Sequence, residues 1–110
     1  MSQKVFLKVV GFVFELPDVL IGFTRFEEIN RGWVVKKKGA TDFEGEAGLV
    51  EASKIALETT KAVSGYKDGE VELWDVVFIF DNEDEATKAG EENEQMTIYQ
   101  IQTGRLKWLK

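Results

Sequence analysis

A chain of 110 residues is the size of one domain and can withdraw roughly 65% of its unfolded surface from water. With 44% hydrophobic and 31% charged residues, and with eight Phe, three Trp and two Tyr, the composition excludes a disordered chain. Its net charge of −6 argues against a duplex-DNA or anionic-membrane partner, and the absence of Cys and His excludes disulfides, thiol catalysis and zinc ribbons and removes the commonest general base.

Residues 4–15 (KVFLKVVGFVFE) are rich in β-branched and aromatic side chains and predict a first strand. Leu16, Pro17 and Asp18 break the run, because proline donates nothing to a ladder and aspartate favours turns. Residues 19–26 (VLIGFTRF) predict a second strand, 27–32 (EEINRG) a turn, and 33–38 (WVVKKK) a third, more exposed strand. After the turn formers GATDFEG at 39–45 the period changes to 3.6. Leu49, Ala52, Ser53, Ala56, Thr60 and Val63 fall on one face, with Glu51, Lys54, Glu58 and Lys61 on the other. That spacing predicts one long helix over 46–63, stopped by Gly65.

Residues 70–80 (EVELWDVVFIF) predict the second strong strand. The acidic stretch 81–94 (DNEDEATKAGEENE) predicts a loop with one helical turn near 83–89. Residues 95–103 (QMTIYQIQT) alternate as a strand, and Gly104 turns the chain into RLKWLK, a short strand or docking tail. The expectation is a single α+β domain over 1–110. Its sheet is mainly antiparallel, of five to six strands, with one long helix packed on one face and room for one parallel pair. No stretch approaches the roughly 20 apolar residues of a membrane span, and Lys8 interrupts the apolar start, so a soluble, cytoplasmic protein is expected.

Both strong strands carry two apolar faces. Val5, Leu7, Val9, Gly11 and Val13 alternate with Phe6, Lys8, Val10, Phe12 and Phe14; Val71, Leu73, Asp75, Val77 and Ile79 alternate with Glu72, Trp74, Val76, Phe78 and Phe80. Small residues on the helix suit close approach to a sheet, and the aliphatic face is assigned to it. Phe6, Phe12, Phe14, Trp74, Phe78 and Phe80 then form an aromatic face that needs cover, and self-association into a dimer or higher homo-oligomer would supply it. Barrel closure or a C-terminal tail (Leu106, Trp108, Leu109) folded over it would hide the same face, and a bulge at Gly11 would flip the parity of Val13 and Phe14 and weaken the face assignment.

Three further features carry chemistry. Asp75 interrupts an aliphatic strand face and is a candidate acid or base if buried alone, or a structural group if it pairs with Lys or Arg. Arg25, Arg31, Trp33, Lys36 and Lys38 form a candidate anion-binding cluster, against which stands the use of lysines to guard an edge strand. Asp81, Glu83, Glu85 and Glu92 follow calcium-loop spacing, but Ala86 stands where that loop needs Gly, so no metal is expected. With Asp84 they read instead as a solvated acidic loop able to meet a basic protein partner. No phosphate loop, dinucleotide fingerprint or nucleophile elbow is present, and no cofactor is expected. The expectation is therefore a non-enzymatic binding or assembly module, inhibitor- or immunity-like. A small-ligand binder with an aromatic-lined pocket is the first alternative and a carboxylate-dependent enzyme the second.

Overall fold

The computed structural model describes the backbone of residues 6–10 and 25–109, with side chains described for 9–10 and 29–109. Ten elements follow in order: β1 (Phe6–Val10), β2 (Arg25–Ile29), β3 (Trp33–Lys36), β4 (Phe43–Glu44), α1 (Gly45–Glu58), β5 (Ala62–Asp68), β6 (Val71–Phe80), α2 (Glu83–Glu92), β7 (Thr97–Gln100) and β8 (Leu106–Trp108). The class is α+β. The strands form one sheet in the order β2-β1-β5-β6-β3-β7-β8, with β4 also paired to β6. The β2–β1 and β1–β5 neighbours are parallel and the other pairings antiparallel. Among the described residues no helix is long and apolar enough to cross a membrane.

Local chemistry sets most boundaries. Helix α1 ends at Glu58 because two β-branched residues follow and Lys61 turns the chain in the left-handed region at φ 67°. The Lys61 N–H donates to the Ala56 carbonyl at 2.7 Å, and its ammonium reaches the Leu57 carbonyl at 2.8 Å, which satisfies the helix end. Val63 therefore belongs to β5, a strand that the helical spacing of Ala56, Thr60 and Val63 conceals. The acidic stretch is likewise a ten-residue helix, not a loop. Asn82 caps α2 by accepting from the Glu85 N–H at 3.0 Å, and Glu83, Asp84 and Glu85 suit its positive N-terminal end. Glu27, Glu28 and Ile29, expected in a turn, extend β2, where pairing with β1 overrides their weak strand preference. Of the expected first two strands, residues 4–5, 11–15 and 19–24 lie outside the described ones.

Both helices pack on one face of the sheet, and it is the aromatic face of β6. Under α1 lie Val9, Val63, Trp74 and Val76, against Leu49, Ala52 and Ala56 of the helix. Under α2 lie Trp33, Val35, Phe78, Phe80 and Ile98, against Ala86 and Ala89, with Leu109 closing the cluster. Phe78 and Phe80 stack with ring centroids 6.2 Å apart. For β6 the assignment of the aliphatic face to the helix is thus reversed, whereas in β1 Val9 of the aliphatic set lies under α1 and Val10 of the other set lies on the far face, as expected. The reason is volume: Ala52 and Ala56 leave space above β6 that the Trp74 ring fills to native density. Phe6, Phe12 and Phe14, the rest of the expected aromatic face, lie outside the described side chains. The far face holds a smaller cluster of Val10, Val34, Ala62 and Val77 with Ile29, Ile79 and Ile101.

Trp74 fits because its neighbour across the ladder is Gly65. A Cβ at Gly65 would stand 2.5 Å from the indole ring, far inside van der Waals contact. Gly65→Ala is therefore expected to cost about 1–3 kcal/mol through overpacking, seen as a lower midpoint in urea unfolding. An unchanged midpoint would mean that Trp74 does not depend on this slot.

Candidate functional site

The far face of the sheet carries the features that the fold leaves unused. Ser64 and Tyr66 of β5, Asp75 of β6, Val34 and Lys36 of β3, Thr97, Ile98 and Tyr99 of β7, and Leu106 of β8 line one cavity of about 230 Å³. Those strands are five consecutive neighbours in the sheet, so the cavity is a trough running across the ladder. Register puts the lining side chains, Ile98 apart, on the same face: Ser64 stands opposite Asp75, Lys36 opposite Val77, Val34 opposite Tyr99, and Tyr99 opposite Leu106. One end is polar and the other apolar.

Asp75 anchors the polar end. Between Lys36, which pairs with Val77, and Phe43, which pairs with Trp74, the chain makes an excursion that only Asp75 and Val76 oppose. Asp75 fastens its far side, where Oδ1 accepts the Asp42 N–H at 2.8 Å. Asp42 holds φ 62° and in turn accepts the Tyr66 hydroxyl at 2.8 Å. The other carboxylate oxygen, Oδ2, is buried and accepts no hydrogen bond. Lys36 Nζ lies 3.4 Å from it as an ion pair without hydrogen-bond alignment, and 5.6 Å from the centre of the Tyr66 ring. The Asp75 side chain is 1% exposed and that of Lys36 47%. The geometry is therefore the pairing arrangement, and it does not leave a lone buried acid. Burial, the hydrogen bond to Asp42 and the carboxylates of Asp75, Asp42 and Asp68 together hold the Tyr66 phenol well above its ordinary range.

The apolar end opens onto solvent. Tyr99 is 39% exposed and Leu106 56%; Trp108, opposite Thr97 on the edge strand β8, is 65% exposed. Trp33 and Trp74 are buried. The C-terminal segment thus divides: Leu109 packs under α2, while Leu106 and Trp108 stand on the far face instead of covering the aromatic one.

Compared with protein-family models, curated proteins and solved structures, the chain finds no match.

The other sequence candidates are dispersed. Trp33 is buried under α2, Lys36 faces the trough, and Lys38 pairs with Glu94 at 2.6 Å while its N–H donates to Asn93. Arg31 lines a separate polar cleft of about 420 Å³ with Gly32, Asp81 and Gln102, where Gly32 N–H donates to Gln102 Oε1 at 2.9 Å. The Arg25 side chain lies outside the described ones. Among the described side chains these cations form no single patch. Nor do the lysines guard an edge, because β3 runs between β6 and β7. Glu83, Asp84, Glu85 and Glu92 are spread along α2, with Glu83 paired to Lys107 at 3.2 Å. Among the described residues no three carboxylates converge on a metal position. The sequence does not single out Tyr66, Asp42 or Tyr99, and it places Leu106 only in a covering tail. The alternation of AVSGYKD at 62–68 is the signal that finds Tyr66, once the helix is ended at Glu58.

Two measurements check this geometry. Asp75→Ala is expected to lower stability by about 2 kcal/mol by orphaning the Asp42 N–H, and Asp75→Asn by about half that, because an acceptor remains. Equal losses would show that the hydrogen bond contributes nothing. In Tyr99→Phe, where Tyr66 is the one tyrosine left, the phenolate absorbance should appear only well above pH 10. The sign follows from linkage: a raised folded-state value favours the fold while the phenol keeps its proton. That contribution is complete below about pH 10 and is lost as pH rises through the folded value. Titration like that of a free tyrosine would contradict the Asp42 contact.

Proposed function

We propose that the protein is a non-enzymatic binding module that takes a small amphipathic molecule into the trough of the far sheet face. The observation that carries this reading is the continuity of an exposed apolar strip, Tyr99–Leu106–Trp108, with a cavity whose inner end is polar. Ligand sites of soluble proteins have this make-up: apolar walls with a few polar groups at one end.

Size favours a small molecule over a protein. Fully covered aromatics bury about 150–250 Å² each, so the strip leaves on the order of 300 Å² open, well short of the ~800 Å² each partner gives to a stable interface. The cavity of about 230 Å³ also lies below the usual range for drug-sized ligands, which suits a compact molecule. Assembly through Trp74, Phe78 and Phe80 has less support, because Trp74 is buried under α1 and the partly buried Phe78 and Phe80 pack under α2. Catalysis has less support, since both carboxylates at the polar end hold structural hydrogen bonds.

Tryptophan emission offers a direct test. With Trp33 and Trp74 buried, the component quenched by acrylamide belongs to Trp108. Titration with compact amphipathic molecules should shift that component to the blue and protect it from quenching, and Trp108→Phe should abolish the response. Light scattering at the same concentrations should show an unchanged mass. If no molecule protects Trp108 while mass rises with concentration, the strip is a self-association surface and the ligand reading fails.

A further inference from the structure

The polar end of the trough already holds a primary ammonium, that of Lys36. Its Nζ sits 3.4 Å from Asp75 Oδ2 and 5.6 Å from the Tyr66 ring centre, the two partners an ammonium favours: a carboxylate and an aromatic face. Yet Oδ2, in a side chain 1% exposed, accepts no hydrogen bond, so its acceptor capacity is unspent. Lys36 is half exposed on a flexible stem and can swing its charge into water at little cost once another cation takes its place beside Asp75. The seat is built, and its occupant is exchangeable.

The surrounding charge selects the sign of the newcomer. Asp75 faces the trough, Asp42 lies behind the Tyr66 hydroxyl, and Asp68 follows on the same face of β5. Among the described residues lining the trough, Lys36 is the one cation. An ammonium that replaces Lys36 Nζ leaves the local charge unchanged. A carboxylate or phosphate would instead meet Asp75 at close range, and a neutral hydroxyl would leave Lys36 in place and add only its apolar contacts.

We propose that the trough binds a small organic amine as its ammonium ion, seated in place of Lys36 Nζ between Asp75 Oδ2 and the Tyr66 ring, with its apolar group along Tyr99 and Leu106. The inference rests on the trough being a ligand site, and adds the chemistry of the head group. No bond is made or broken; one ammonium exchanges for another.

Calorimetric titration with phenethylamine, 2-phenylethanol and 3-phenylpropionate separates the two levels. The unmodified protein should bind the amine about tenfold more tightly than the alcohol, and the carboxylate most weakly. Lys36→Gln empties the seat and should tighten amine binding by a further tenfold or so, which a purely structural lysine would not do. Asp75→Asn should erase the preference for amine over alcohol, with circular dichroism confirming that the fold survives. Lys36→Gln alters a half-exposed residue and keeps the test informative if Asp75→Asn does not fold. Alcohol binding as tight as amine, or carboxylate binding tighter, would overturn the ammonium assignment and leave the trough a ligand site. No binding of any probe to either the native protein or Lys36→Gln would overturn both. A lysine-containing peptide that binds more tightly than phenethylamine would assign the seat to a partner's side chain and overturn the small-molecule reading.

Discussion

Strand β6 is apolar on both faces, and the structure depends on which of them the helices take. Trp74 decides it. An indole ring cannot be covered by another large side chain without pushing layers apart, but it can lie under Ala52 and Ala56 and over a neighbour with no Cβ. Gly65 supplies that neighbour, across the ladder. Once Trp74 is seated, the strict alternation of a strand places Val76, Phe78 and Phe80 on the same side, and α2 closes over the last two with Ala86 and Ala89. One glycine–tryptophan pair thus orients both helices.

The same alternation sends Asp75 to the far face. A carboxylate in the middle of a ten-residue strand is costly to bury, and the cost is met by two groups that the chain brings across from the β3–β4 side. The Asp42 N–H takes one oxygen and the Lys36 ammonium stands near the other. The irregularity between β3 and β4 is what makes this feasible: a straight continuation of the strand would leave no backbone donor free to turn inward. Burial of Asp75 and the excursion are therefore one feature. It also draws in Tyr66, whose hydroxyl closes the chain of contacts through Asp42.

What could be read from the sequence follows the strength of local patterns. The α+β class, the mainly antiparallel sheet and the long helix were legible, because continuous apolar strands and a 3.6 period leave few other solutions. The end of α1 was not. Thr60 and Val63 continue its spacing by coincidence, and only the left-handed turn at Lys61 separates helix from strand. Helix α2 was hidden by charge and by Gly90, although Asn82 with Glu85 three positions on is a capping pattern that could have revealed it. On β6 the face assignment failed for a different reason: alternation says which side chains share a face, and volume matching says what covers it. Asp75 was visible as an anomaly, whereas Lys36 of β3, Tyr66 of β5 and Asp42 of the β3–β4 connection come from separate segments and meet around it only through the sheet order. Tyr99, Leu106 and Trp108 were legible as strand residues but not as the exposed strip, since exposure depends on which face the helices leave open.

An ion pair with one buried and one half-exposed member is well suited to exchange. A buried carboxylate is costly to leave uncompensated, so a resident cation stabilises the empty site, and Lys36 provides it without being locked in place. Replacing one ammonium by another conserves most of the Coulomb energy, so that pair contributes little net affinity of its own. Binding strength must then come from the better-aligned hydrogen bond to Oδ2 and from covering Tyr99 and Leu106. An apolar group on the ligand is consequently as necessary as its charge, since a bare ammonium offers the site nothing that Lys36 does not already supply. The charged end sets which chemistry enters the trough, and the apolar strip sets how tightly it stays.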